Sequence, residues 1–163
     1  MAIRRFSTSN LSGSKSSKVW DQETTPGYFE SIATVIVPAA GASSISFSNI
    51  PQNYTHLQIR AISRNDKADN GGQSMMVAFN GDTTYTNYDS HRLYGIGSGS
   101  GSSDVIQLSG FYGGVGIIPA AQMTASVFAG AVIDILDYTN TSKNTTVKTL
   151  WGVDSNSTTG YVG

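Results

Sequence analysis

The chain has no cysteine. That excludes a disulfide framework, a thiolate nucleophile and any zinc or iron–sulfur centre held by cysteine. Stability must come from packing or from contacts between copies. Charge is scarce as well. Asp, Glu, Lys and Arg make up 13% of the 163 residues, against about 25% in an average soluble domain. A surface so poor in charge suits one that partners cover. The two histidines, His56 and His91, stand far apart in sequence, so no HExxH or HxH pair exists for a metal. No GxxxxGK[ST] loop and no GxSxG elbow occurs. No run of about 20 apolar residues is long enough to span a bilayer. The opening "MAIRRFSTSNLSGSK" lacks the apolar centre of a secretory signal, so synthesis in a cytoplasm and no membrane partner are expected. The Asn-x-Ser/Thr triplets at Asn10, Asn53, Asn140, Asn144 and Asn156 then read as chance in an Asn/Thr-rich chain.

What is abundant is the chemistry of turns and short strands. Glycine occurs 18 times, and Ser, Thr and Asn fill much of the remainder. The length suits one domain, able to bury about two-thirds of its unfolded surface. "FESIATVIV" (29–37) is rich in β-branched residues. "SSISFSNIP" (43–51) alternates strictly, with Ile45 and Phe47 on one face and serines on the other. "HLQIRAISR" (56–64) and "SMMVAFN" (74–80) alternate too, and "HRLYG" and "VIQLSGFYGG" read as further strands. "VFAGAVIDILDY" (127–138) is apolar on both faces, which predicts a central strand buried on both sides. "TTVKTLWGVD" (145–154) returns beside it as a hairpin. "IGSGSGSSD" (96–104) reads as a flexible loop, and "GIIPAAQMTAS" as irregular with one helical turn after Pro119. "TTGYVG" opens one more strand. The fold class predicted is all-β: a jelly-roll-like antiparallel β-sandwich over 29–163, preceded by an extended N-terminal arm over 1–28.

The arm carries Arg4, Arg5, Lys15 and Lys18 and no acid before Trp20, while the remainder of the chain is acidic on balance. Four charges in twenty residues are too few to argue for nucleic acid, and none is expected as a partner. Phe6 and Trp20 are apolar anchors that a purely solvating tail would not need. We read Arg4, Arg5, Phe6, Lys15, Lys18 and Trp20 as a docking arm that orders on another protein.

One stretch tests for catalysis. "FNGDTTYTNYDSHRLYG" (79–95) gathers Asp82, Asp89, His91 and Arg92 among tyrosines. Carboxylates beside a histidine can serve acid–base or glycosidic chemistry. Both acids stand in turn-like contexts, "NGD" and "NYDS", where Asp caps backbone amides. The stretch is therefore read as a corner of the sheet, with the tyrosines packed at its rim and His91 as a rim histidine. No catalytic residue, metal or cofactor is assigned.

The runs "FESIATVIV", "GASSISFSNIPQNYTHLQIRAISR", "FNGDT" and "VIDILDYTNTSKNTTVKTLWG", with the leader "MAIRRFSTSN", resemble tailed-bacteriophage virion structural proteins of the kind common in marine cyanobacterial phages. The resemblance implies a non-enzymatic fibre or capsid-decoration component, anchored by its N-terminal arm to capsid, neck or tail proteins. It implies residence in the virion after synthesis in the host cytoplasm. It also implies self-association, with a trimer favoured by analogy with fibre proteins. The alternative is a carbohydrate-binding receptor-recognition module, with a host surface glycan as partner. Tyrosines and Gly/Asn/Ser loops supply the stacking and hydrogen bonding that such binding needs.

Overall fold

A run of alternating residues becomes a strand only where a neighbour completes its ladder. The computed structural model of the chain describes residues 30–97, 99–106, 112–155 and 160–163. The chain divides into two units between Ile50 and Pro51. The second unit is all β. Its described strands are β1 Leu57–Ser63, β2 Gly72–Met76, β3 Asp89–Ile96, β4 Gly99–Ile106, β5 Gly114–Pro119, β6 Ala129–Leu136, β7 Thr146–Val153 and β8 Tyr161–Val162. All pairings between them are antiparallel. One sheet has six strands in the order β1-β6-β7-β8-β3-β4, and β2 pairs β5 in a second sheet.

Register decides which residues meet. β1 sets Leu57, Ile59 and Ala61 opposite Ile135, Ile133 and Ala131 of β6. β6 in turn sets Ala131 and Ile135 opposite Trp151 and Val147 of β7. These residues share one face, and that face forms the core. Val115, Ala131, Ile133, Ile135 and Trp151 are buried together, with Met75, Val77 and Ile117 of the β2/β5 side packed on them. β5 lies close over the indole: a Cβ at Gly116 would stand 3.1 Å from Trp151 Cγ. That approach favours glycine, since a Cβ there would have to push the indole back by a few tenths of an ångström. A smaller cluster of Ile118, Ala129 and Val153 extends the core alongside.

Four expectations need correction. Residues 30–50 carry no strand, although 29–37 and 43–51 have strand patterns. Ile45 and Phe47, the apolar face of the second run, are 49% and 38% exposed. Alternation specifies an apolar face, but the ladder hydrogen bonds must come from a second segment. Conversely, the Gly/Ser run 96–104 is not a loop. It turns at Gly97 and returns as β4, with Tyr94 facing Gly101 across the pair. The Tyr94 hydroxyl lies 2.9 Å from where a Gly101 Cβ would be, so the ring covers an edge glycine that could not pack for itself. "GIIP" is the end of β5 rather than irregular chain, and a single turn, Met123 N–H to Ala120 carbonyl, follows Pro119. Last, β6 is buried on one face only. Ala129, Ala131, Ile133 and Ile135 are buried, while Gly130 on the other face is exposed and Val132, Asp134 and Leu136 are half-buried.

Candidate functional site

The turn after β2 is built from the residues that looked most like chemistry. Asn80 and Gly81 both take positive φ, 54° and 74°, which reverses the chain. The Asp82 N–H closes the turn on the Phe79 carbonyl at 2.9 Å. The Asp82 carboxylate accepts from the Thr84 N–H at 2.8 Å and from the Asn87 amide at 2.7 Å. The Tyr88 hydroxyl donates to the Asp82 carbonyl at 2.7 Å and accepts from the Phe79 N–H at 3.1 Å. The Asn87 amide, then the Thr84 N–H, hold the Asp82 carboxyl below its ordinary value, because both stabilise the charged form. A carboxylate fixed in this way is an acceptor in a turn, not a proton donor. Tyr88 is fixed too, tilted against Tyr112 with ring centroids 6.1 Å apart.

The other acid and the histidine part company with this turn. Asp89 begins β3 instead of capping a turn, and His91 lies two residues along on the same exposed face. Register places His91 opposite Asp104 of β4. Arg92 points the other way, its guanidinium 5.2 Å from the Tyr94 ring centroid. His56 stands elsewhere: its Nδ1 accepts the Asp137 N–H at 3.0 Å, and Lys143 donates to the Asp137 carboxylate. The lysine, foremost by that hydrogen bond and with His56 contributing least, lowers the Asp137 pKa. No group of three metal-ligating side chains occurs among the described residues. The docking-arm residues Arg4, Arg5, Phe6, Lys15, Lys18 and Trp20 lie outside the described residues.

The feature that the sequence reading passed over is on the face of the six-stranded sheet opposite the core. Register lines up Ile62, Gly130, Gly152, Val162 and Gly95 in one row across β1, β6, β7, β8 and β3. The next row holds Arg60, Val132 and Leu150. Ile62 is 84% exposed, Leu150 65%, Val162 55%, and Leu93 on the same face of β3 72%. Glycines form the floor: a Cβ built at Gly130 meets nothing within 4 Å. The result is an apolar trough of about 580 Å³, with Ile62, Val132, Leu150 and Val162 as walls and Arg60 at its margin. Further along the strands the face turns polar, where the Gln58 amide donates to Asp134 at 2.8 Å and Arg60 to Gln58 at 2.7 Å. Apolar centre and polar margin are the layout of a protein interface. The signal was present in the sequence. Ile62 and Leu150 break phase in otherwise polar positions of their strands, and Gly130 and Gly152 sit inside strands where glycine weakens packing.

No protein-family model, no curated protein and no solved structure matches the chain.

Proposed function

We propose that the chain is a non-enzymatic structural subunit of a tailed-phage virion, a fibre or decoration component that works as a homo-oligomer, a trimer in the favoured reading. Its jelly-roll-like sandwich projects from the particle, and residues 1–28 anchor it to capsid, neck or tail proteins. The observation that carries the reading is the apolar trough on an open sheet face. Isolated apolar residues on a surface are ordinary, but a contiguous patch paved with glycine needs a covering partner. The fixed roles of Asp82 and Tyr88 in a turn agree with a structural rather than a catalytic use of the 79–95 stretch. The low charge of the chain and its resemblance to virion proteins point the same way.

The test is the inventory of purified particles. Mass spectrometry should find the protein in them at a fixed copy number, a multiple of its oligomer number, and immunogold labelling should place it at one location. A protein found only in the infected-cell lysate would end the virion reading. Specific glycan-array binding that is lost when loop tyrosines are changed would move the assignment to the receptor-recognition alternative.

A further inference from the structure

Two exposed apolar features among the described residues match each other in length. One is the glycine-floored trough on the β1-β6-β7-β8-β3 face. The other is residues 43–49, "SSISFSN", which have the alternation of a one-sided strand, carry no strand, and are all exposed. We propose that residues 43–49 of a neighbouring copy lie across this trough, with Ile45 and Phe47 directed at its glycine floor and the serines directed at solvent. The inference rests on the self-association proposed above and supplies its contact.

Chemistry, shape and length agree. From Ser31 to Ile50 there is no charged residue, so the segment brings no ion to be desolvated against the apolar floor. Gly130 and Gly152 are direct partners across β6 and β7, which leaves a gap two strands wide with no Cβ. Such a gap admits a ring or a close backbone. The row from Ile62 to Gly95 crosses five strands, about 19 Å at the usual spacing of about 4.8 Å. Seven residues laid out as a strand reach about 20 Å at about 3.3 Å each. Arg60 at the margin has serine hydroxyls and backbone carbonyls within its class of acceptors. A contact of segment on one copy with face on the next, passed from copy to copy about an axis, closes a ring, whereas its reciprocal exchange between two copies makes a twofold dimer. The ring agrees with a trimer.

The absence of native cysteine makes the test clean. Full-length Phe47→Cys and Gly130→Cys chains are co-refolded and treated with a short bis-maleimide. Gly130 has room for the new side chain. The expected product is a covalent dimer holding one chain of each variant. It should be several-fold more abundant than in a Ser74→Cys plus Gly130→Cys control. In parallel, Gly130→Arg fills the trough. Mass photometry should show association weakened at least tenfold, while circular dichroism reports the native sheet. An oligomer that persists in Gly130→Arg without the mixed crosslink overturns this contact but leaves self-association standing. A Phe47→Cys/Gly130→Cys double variant that crosslinks only within single chains of monomeric mass overturns this contact, and a wild-type chain that stays monomeric at micromolar concentration with no mixed crosslink overturns this contact and self-association together.

Discussion

A single arginine holds the β5–β6 loop in place. Arg64 Nη1 donates to the carbonyls of Thr124 and Val127 at 2.8 and 2.9 Å, and Nη2 to those of Ala121 and Met123 at 3.0 and 2.8 Å. A planar fork can serve four carbonyls at once, whereas a lysine ammonium cannot span them. Arg64→Ala should lower stability by about 2 kcal/mol, since hydrogen bonds from a charged group contribute about 1.5–3 kcal/mol. Arg64→Lys should recover only part of it. Urea unfolding measures both, and an unchanged midpoint for the alanine variant would show that the loop holds itself. Asp82 gives the second test at this scale. The Asn87 amide lowers its folded pKa, the Gly71 N–H lowers that of Asp69, and Lys143 lowers that of Asp137. The folded state therefore binds fewer protons than the unfolded chain near the carboxylate pKa. The stability they confer is complete above the unfolded value, about pH 4, and drains away as pH falls through the lowered folded values. The urea midpoint should drop below about pH 4, and Asp82→Asn should make that drop shallower. A midpoint that is level from neutral pH to pH 3 would contradict the assignment.

At the scale of elements, β6 is the strand around which the others are arranged. It pairs β1 on one side and β7 on the other, and Ile133 at its centre is 3% exposed. Ile133→Ala should cost about 2–5 kcal/mol. A loss under about 0.5 kcal/mol, the range of surface changes, would place that face outside the core. The packing of β5 on β7 turns on Gly116. A valine there would drive its Cβ against Trp151, which is 4% exposed. Overpacking of this kind costs about 1–3 kcal/mol, and the blue-shifted fluorescence expected of buried Trp151 should move to the red in Gly116→Val. Unaltered emission with an unaltered melting temperature would show that β5 yields. Much of this level was legible in the chain: alternation in 56–64 and 145–154 located two strands and their buried face, and 127–138 located a third, whose apolar residues on both faces hid which one the core covers. β4 was not legible, because a Gly/Ser run has no apolar period and becomes a strand only by lying against Tyr94.

For the whole molecule, the expectation concerns residues 1–28, whose docking role is a proposal from composition. The described sheets begin at Leu57 and take their core from residues 57–161. Deleting residues 1–25 should therefore leave the melting temperature within about 2 °C, the shift that a change well under 1 kcal/mol gives in a domain of this size. The same deletion should remove the protein from assembled particles, as should Phe6→Ala combined with Trp20→Ala. Full occupancy of particles by the truncated protein would move the attachment site into the β unit.

The sequence by itself determined composition-level facts and one-dimensional patterns: the exclusion of cysteine chemistry, the all-β class, the buried faces of 56–64 and 145–154, and the turn at Asn80–Asp82. These follow from local sterics and from a period of two, which a short run of residues carries complete. Tertiary structure decided which patterned segments became strands. The "SSISFSN" and "LQIRAIS" runs alternate equally well, yet among the described residues it is the second that has a partner, Ala129–Leu136, to complete its ladder. It also decided that Gly130, Gly152 and Gly95, which lie in three separate strands, share one row with Ile62 and Val162. Register across a sheet is a relation between distant segments, fixed by hydrogen bonds between them and by the shared core, and no single segment contains it.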